Sequence, residues 1–256
     1  MSQSPGEREP LAEGTLVSHL LELRDRLLRS VIVTAVCFVP LAFFQNELFT
    51  LVARPLIDKL PAGTSLIATS VVSPFMAPLK LSLIGAIFLA MPYILFQLWG
   101  FVAPGLYKHE RRFALPLIVS SIVLFYGGVA FAYYVVFPLM FQFLASTTPA
   151  GVKMMTDIAN YLDFVLLLFM AFGIAFEMPV AVVLLVATGL VKLEALTRNR
   201  GYVILGIFII AAFLTPPDAV SQCFMAVPMY LLYELGIVFA RMMKKTGQTA
   251  TPATES

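Results

Sequence analysis

Three carboxylates stand out in a chain that carries few charges: Glu22, Glu110 and Glu177. Glu22 lies in Leu16-Val17-Ser18-His19-Leu20-Leu21-Glu22-Leu23-Arg24-Asp25-Arg26-Leu27, and Arg26 follows it by four residues. That spacing puts both on one helical face, so pattern alone reads Glu22 as the ion-pair partner of Arg26, worth about 0.3–0.5 kcal/mol when exposed. Glu110 closes Phe101-Val102-Ala103-Pro104-Gly105-Leu106-Tyr107-Lys108-His109-Glu110 and is followed by Arg111 and Arg112. A solvated acid within a basic stop signal is one reading of it. A lone acid weakens such a signal, however, so Glu110 is also a candidate ligand for an incoming cation. Glu177 sits in Phe172-Gly173-Ile174-Ala175-Phe176-Glu177-Met178-Pro179, inside an apolar run. A charge at mid-bilayer costs about 2.5–3.5 kcal/mol on insertion scales, and such a residue marks function by default; a neutral or paired structural acid is the alternative. Pro179 predicts a kink beside it.

Catalytic chemistry finds little support. There is no His-Glu-x-x-His, Gly-x-Ser-x-Gly or Walker sequence, and the two histidines, His19 and His109, lie in different polar segments. No paired acids lie mid-span. The expectation is no catalytic residue, no metal, no cofactor and no enzyme. Cys37 and Cys223 both fall in apolar runs and read as small core residues. A net charge of +2, dispersed along the chain, argues against nucleic acid as a partner.

The elements that must position these residues are set by composition. Of 256 residues, 60% are apolar and 12% charged, with a mean hydropathy of +0.90; soluble chains are about half apolar and about a quarter charged. The chain is expected to be an all-α integral membrane protein. Polar clusters cut it into six candidate spans, about 29–49, 79–102, 114–137, 162–189, 201–215 and 222–239, the last two short. The first has no small-residue cleavage site after it and is expected to be retained. Lys and Arg outside the spans divide 13 to 3, with only Arg54, Lys59 and Lys153 on the poor side, which predicts cytoplasmic termini. The outer loops, about 50–78 and 138–161, are interrupted by prolines including Pro55 and are expected to form short helices in a structured outer cap. Leucines 16, 20, 23 and 27 share one face and predict an amphipathic surface helix before the first span. The expected divisions are a polar tail at 1–15, a membrane domain at 16–240 and a disordered cytoplasmic tail at 241–256. No internal repeat is visible.

In order along the chain stand Ser18-His19-Leu20-Leu21-Glu22-Leu23-Arg24, Ala103-Pro104-Gly105-Leu106-Tyr107-Lys108-His109-Glu110-Arg111-Arg112, Phe176-Glu177-Met178-Pro179 and Leu214-Thr215-Pro216-Pro217-Asp218. With these the chain closely resembles the TatC family, the multispanning subunit of the bacterial twin-arginine translocase, over roughly residues 11–240. The resemblance implies a concave, glove-shaped fold in the bacterial inner membrane. It implies that the protein receives twin-arginine signal peptides and exports folded proteins, driven by the proton-motive force. It assigns the signal site to Glu22 and Glu110, with Arg24, Arg111, His19, Phe101 and Tyr107 around them. It further implies single-span partners of the TatA and TatB type docking near Thr215 and Gln222, an oligomeric complex in membrane lipid, and loop roles for Pro55 and Asp218. Two adjacent arginines present two planar forks, each of which one carboxylate can meet bidentately. Arg24, Arg26, Arg111 and Arg112 would hold those carboxylates in place and repel generic cationic peptides. A small-solute transporter using Glu177 for coupling is the competing class, and an intramembrane enzyme a more distant one.

Overall fold

The computed structural model describes residues 11–57, 67–102, 111–147, 157–215 and 218–248; within these, side chains are described except at 11–16, 54–57, 102, 111–114, 144–145 and 244–248. The architecture is helical throughout, as lipid requires of a chain whose backbone polar groups must be satisfied internally. In order come α1 (Leu11–Phe43), α2 (Gln45–Ile57), α3 (Ser73–Val102), α4 (Arg111–Phe131), a π-helical turn (Ala132–Val136), α5 (Phe137–Ser146), α6 (Ile158–Ala175), α7 (Met178–Ala187), α8 (Leu193–Arg198), α9 (Arg200–Leu214) and α10 (Ala219–Gln248). Among the described residues five helical segments are long and apolar enough to cross a membrane: Val17–Phe43, Ser73–Phe101, Leu115–Phe143, Ile158–Ala187 and Ala219–Met243. The apolar α9 has 15 residues, a rise of only about 22 Å. The chain is therefore a multi-pass membrane protein.

Several sequence expectations are corrected. The first long helix does not run over 29–49: it ends at Phe43, and Gln45 and Asn46 open a new helix with Glu47 in its first turn, where a carboxylate suits the helix dipole. No separate amphipathic helix precedes it, because α1 is continuous from Leu11. Leu20, Leu23 and Leu27 are exposed, and it is the face bearing Glu22 and Arg26 that meets α3. The third long segment passes beyond 137 through the π-helical turn into α5. The last helix is not short, and α10 passes the boundary expected at 241 to reach Gln248, while 249–256 lie outside the described residues. At the other end, α1 begins at Leu11. Cys223 is exposed and Cys37 half-buried, so neither is a core residue. An apolar run in a membrane protein faces lipid as well as core, and apolar neighbours in sequence do not mean burial.

Small residues set the close helix crossings, as membrane packing favours. A Cβ at Gly128 of α4 would lie 2.5 Å from the Phe172 carbonyl oxygen of α6, and one at Gly173 of α6 would lie 2.5 Å from the Phe125 ring of α4. Gly236 of α10 admits Pro179 and Val182 of α7 in the same way. Around these points Phe125, Phe137, Phe172, Met140 and Leu162 are fully buried. Proline supplies the second theme. Pro92 has no N–H, so the Phe88 carbonyl four residues earlier loses its helical donor; the Tyr126 hydroxyl donates to that carbonyl at 2.8 Å. Pro55 deprives the Leu51 carbonyl likewise, and the Tyr133 hydroxyl donates there at 3.1 Å. Tyr161 adds a hydrogen bond to the Val52 carbonyl at 2.9 Å, fixing α2 against α6.

Among the described residues, the segments preceding α3 and α6 meet in a parallel bridge between Ile67 and Asp157. Asp157 caps α6, its Oδ1 accepting from the Ala159 and Asn160 N–H groups at 3.0 Å, while its Oδ2 accepts from Thr69 Oγ1 at 2.7 Å and from the Thr69 N–H at 3.0 Å. The Thr69 hydroxyl leads these donors in holding the carboxyl well below its usual range, at about 2. Lys80 of α3 pairs with Asp163 of α6.

Candidate functional site

The crossing of α1 and α3 gathers the polar residues that their sequences scatter. Helix α1 packs chiefly on α3, and its long apolar stretch buries none of its residues in the protein. Near Glu22 and Arg26 its contact with α3 is polar. Glu22 and Arg26 are one turn apart, and Arg26 Nε and Nη2 both donate to Glu22 Oε1, at 2.9 and 2.7 Å. Arg26 Nη1 donates to Gln97 Oε1 of α3 at 3.1 Å, and Gln97 Nε2 donates to the Tyr93 hydroxyl at 2.6 Å. A Cβ at Gly100 would lie 2.5 Å from Arg26 Nη1, so the guanidinium occupies space that only glycine leaves open. One turn toward the N-terminus, His19 stacks on Phe101 of α3 with ring centroids 4.2 Å apart and an interplanar angle of 17°. The Arg26 side chain is 25% exposed and that of Glu22 39%. The described hydrogen bonds to Glu22 all go to Oε1, and none reaches Oε2 among the described residues.

Of the residues singled out in the sequence, the structure brings together His19, Glu22 and Phe101, and the pairing of Glu22 with Arg26 is as its spacing predicts. Arg24 is separated from them. It lies about 200° around the helix from Glu22 and pairs with its neighbour Asp25 at 2.8 Å, so it does not hold the Glu22 carboxylate. Tyr107 and Glu110 lie outside the described residues, and Arg111, which opens α4, has no described side chain. Gln97, Tyr93 and Gly100 were missed. The signal for Gln97 was available: a polar side chain deep in an apolar run must find a partner, and Gln97 is buried.

A second polar position lies deeper. The helix breaks at Phe176 and Glu177 between α6 and α7, and Pro179 starts the second piece, as the sequence predicts. Among the described residues neither Glu177 carboxyl oxygen completes a hydrogen bond. Ser121 Oγ of α4, beside that carboxyl, accepts the indole N–H of Trp99 at 2.9 Å. The surroundings are apolar, with Met91, Leu95, Phe125, Val180 and Leu184 buried in one cluster with Trp99.

Between α9 and α10, Thr215 is buried and its hydroxyl donates to the Ala211 carbonyl at 2.9 Å. Asp218 Oδ1 accepts from the Ser221 N–H at 2.7 Å, capping α10. Gln222 is half-buried one turn later. Pro55 lies in α2 with its side chain undescribed. Among the described residues no group of His, Cys, Asp and Glu could hold a metal ion.

Comparison with known proteins gives one consistent answer. The sequence profile of the Sec-independent protein translocase protein (TatC) matches residues 18–228. A protein of that name from Azotobacter chroococcum mcd 1 is 55% identical over 235 residues, 92% of either chain. Another from Escherichia coli K12 is 52% identical over 91% of this chain and 90% of its own. A crystal structure described as the twin arginine translocase receptor TatC superposes with a TM-score of 0.80 at 37% identity, covering 88% of this chain and 99% of its own.

Proposed function

This chain belongs to the TatC family, and on that premise we propose that it is the signal-peptide receptor and core subunit of the twin-arginine translocase, exporting folded proteins across the bacterial cytoplasmic membrane with the proton-motive force. The observation that carries the reading is the half-exposed Glu22 carboxylate, fixed through one oxygen by Arg26 and open at the other, beside the stacked His19 and Phe101 rings. An arginine fork meets such an oxygen with a charge-assisted hydrogen bond. Glu110 receives the second arginine of the signal peptide, with Tyr107 and Arg111 framing the approach. The helices form six spans with both termini cytoplasmic and an outer cap over the bundle; the short α9 either thins the bilayer or stops short of one face. TatA-type and TatB-type subunits dock near Thr215 and Gln222, and Glu177 admits water or a partner's polar group into the membrane plane.

The experiment is crosslinking of a twin-arginine precursor to the protein in membranes. Glu22→Lys and Glu110→Lys place like charge against the incoming arginines, a loss of about 2–5 kcal/mol of binding. Both are expected to abolish the crosslink while protein abundance stays unchanged. Undiminished crosslinking in both would exclude the carboxylate receptor. One observation favours a second reading: the unpartnered Glu177 carboxyl could couple a small solute or ion, which predicts saturable uptake in liposomes and leaves Glu22 and Glu110 without a role.

A further inference from the structure

The Glu22 carboxylate is not an empty acceptor, because a guanidinium already sits on it. Two of the three Arg26 nitrogens converge on Glu22 Oε1, and the third is held by the Gln97 side chain, which Tyr93 in turn fixes from one turn away on α3. The Gln97 carbonyl oxygen lies 3.5 Å from the same Nη1. Gly100 completes the seat, since any side chain there would drive a carbon to 2.5 Å from Nη1. The seat matches the planar fork: lysine carries its three donors on one nitrogen and lacks the spread of three nitrogens by which Arg26 meets Glu22 and Gln97 together. Nε and Nη2 of Arg26 are committed to Glu22 within α1 and Nη1 to Gln97 across the helix crossing, and moving the side chain out would leave Gln97 and one Glu22 oxygen without these donors in a half-buried place.

We propose that Arg26 is a resident arginine that stays in place when a signal peptide binds, locks the rotamer of Glu22, and leaves Oε2 as the single oxygen offered to the incoming guanidinium. Arg26 is thus a positioning residue, and Gln97 and Gly100 act through it. The inference rests on the receptor reading above. Its consequence is a carboxylate held in one rotamer before the peptide arrives, so the peptide's arginine meets a fixed acceptor. The resident positive charge keeps the interaction modest, because it already satisfies half of the carboxylate, and this suits a receptor that must release its peptide. It also keeps out ligands that attract by charge alone, since the field at Oε2 is weakened while its geometry is preserved.

The test measures binding of synthetic signal peptides carrying Arg-Arg or Lys-Lys to the purified full-length protein in detergent, with thermal unfolding recorded for each variant. Arg26→Lys keeps the charge and loses the fork. It is expected to weaken Arg-Arg binding about tenfold and Lys-Lys binding little, so that selectivity falls. Gly100→Ala and Gln97→Leu, neither of which alters the Glu22 side chain itself, are expected to reproduce that loss of selectivity in protein that still unfolds cooperatively, at a somewhat lower temperature because Arg26 Nη1 loses its partner. Tighter Arg-Arg binding in Arg26→Gln would overturn the proposal, because it would make Arg26 a competitor that the peptide displaces. Unchanged selectivity in a folded Gly100→Ala protein would overturn it equally. Glu22→Gln separates this from the receptor reading: unchanged Arg-Arg binding there sinks the receptor itself, whereas weakened binding there with unaltered Arg26→Lys sinks only the resident arginine.

Discussion

The α1/α3 crossing and the α4/α6 crossing are both close helix contacts, but they are held in opposite ways. At α1/α3 the contact is polar and half-exposed: Arg26, Glu22, Gln97 and Tyr93 form one chain of hydrogen bonds, and Gly100 makes room for a guanidinium. At α4/α6 the contact is apolar and sealed, with Gly128 and Gly173 admitting Phe172, Phe176 and Phe125. The polar seam presents a group with one unused acceptor to solvent. The apolar seam lies against a break whose Glu177 carboxyl completes no hydrogen bond among the described residues, with the Ser121 hydroxyl beside it. Glycine thus serves binding geometry in one place and packing density in the other, and the two should respond differently to the same substitution.

The largest expected effect separates neighbours. Gly128→Val forces carbons onto the Phe172 carbonyl and is expected to lower stability by about 3 kcal/mol or more, read as loss of folded protein in detergent. Gly127→Ala has nothing within 4 Å of the new carbon and should leave stability unchanged or slightly raised. Equal losses at both positions would mean that packing at the crossing is not the cause.

Next comes Glu177. Replacing an unpartnered buried carboxyl with an apolar side chain of similar size removes a desolvation cost, so Glu177→Leu is expected to stabilise the protein by about 1–2 kcal/mol while export falls and precursor binding persists. Glu177→Gln keeps polarity and is expected to export near normally. Destabilisation by Glu177→Leu would make the residue a structural tie and erase the contrast with the α1/α3 seam.

Tyr126→Phe is expected to cost about 1 kcal/mol, because the Phe88 carbonyl left by Pro92 loses its donor. The double change of Tyr126→Phe with Pro92→Ala should recover part of that loss in thermal unfolding, since an alanine N–H restores the helical bond.

The smallest effect lies at Asp157. Its depressed pKa means that the contribution to stability is full above the ordinary carboxyl pKa of 3.8 and is lost as pH falls through about 2. Thr69→Val removes the leading donor, so the Asp157 titration should move back up toward its ordinary value. A carboxyl-resolved NMR titration with its midpoint unmoved in the variant would contradict the hydrogen bond as the cause.

Much of the fold was legible because lipid demands long apolar helices and basic residues punctuate them. Ends were less legible: α1 begins at Leu11 and α10 reaches Gln248 because helices continue through charged segments when the charges can project outward or pair, as Glu22 and Arg26 do. Leu20 and Leu27 misled for a related reason, since exposure to lipid and burial in protein select the same side chains. At the site, Glu22, His19 and Phe101 carried recognisable patterns, whereas Gly100 is functional only through a neighbour in another helix. That dependence is a contact across the chain, and no local spacing encodes it.

The reading of the α1/α3 crossing as the receptor for the arginines of a signal peptide can be tested by where a bound precursor lies. The most direct test places a photocrosslinking side chain at Phe101 or at Ser18 and exposes membranes to a precursor with Arg-Arg or the same precursor with Lys-Lys. The account predicts a crosslink at both positions with the Arg-Arg precursor, its loss with Lys-Lys, and its loss in Glu22→Lys at unchanged protein level. A crosslink of equal strength with Lys-Lys, or one that survives Glu22→Lys, would contradict it.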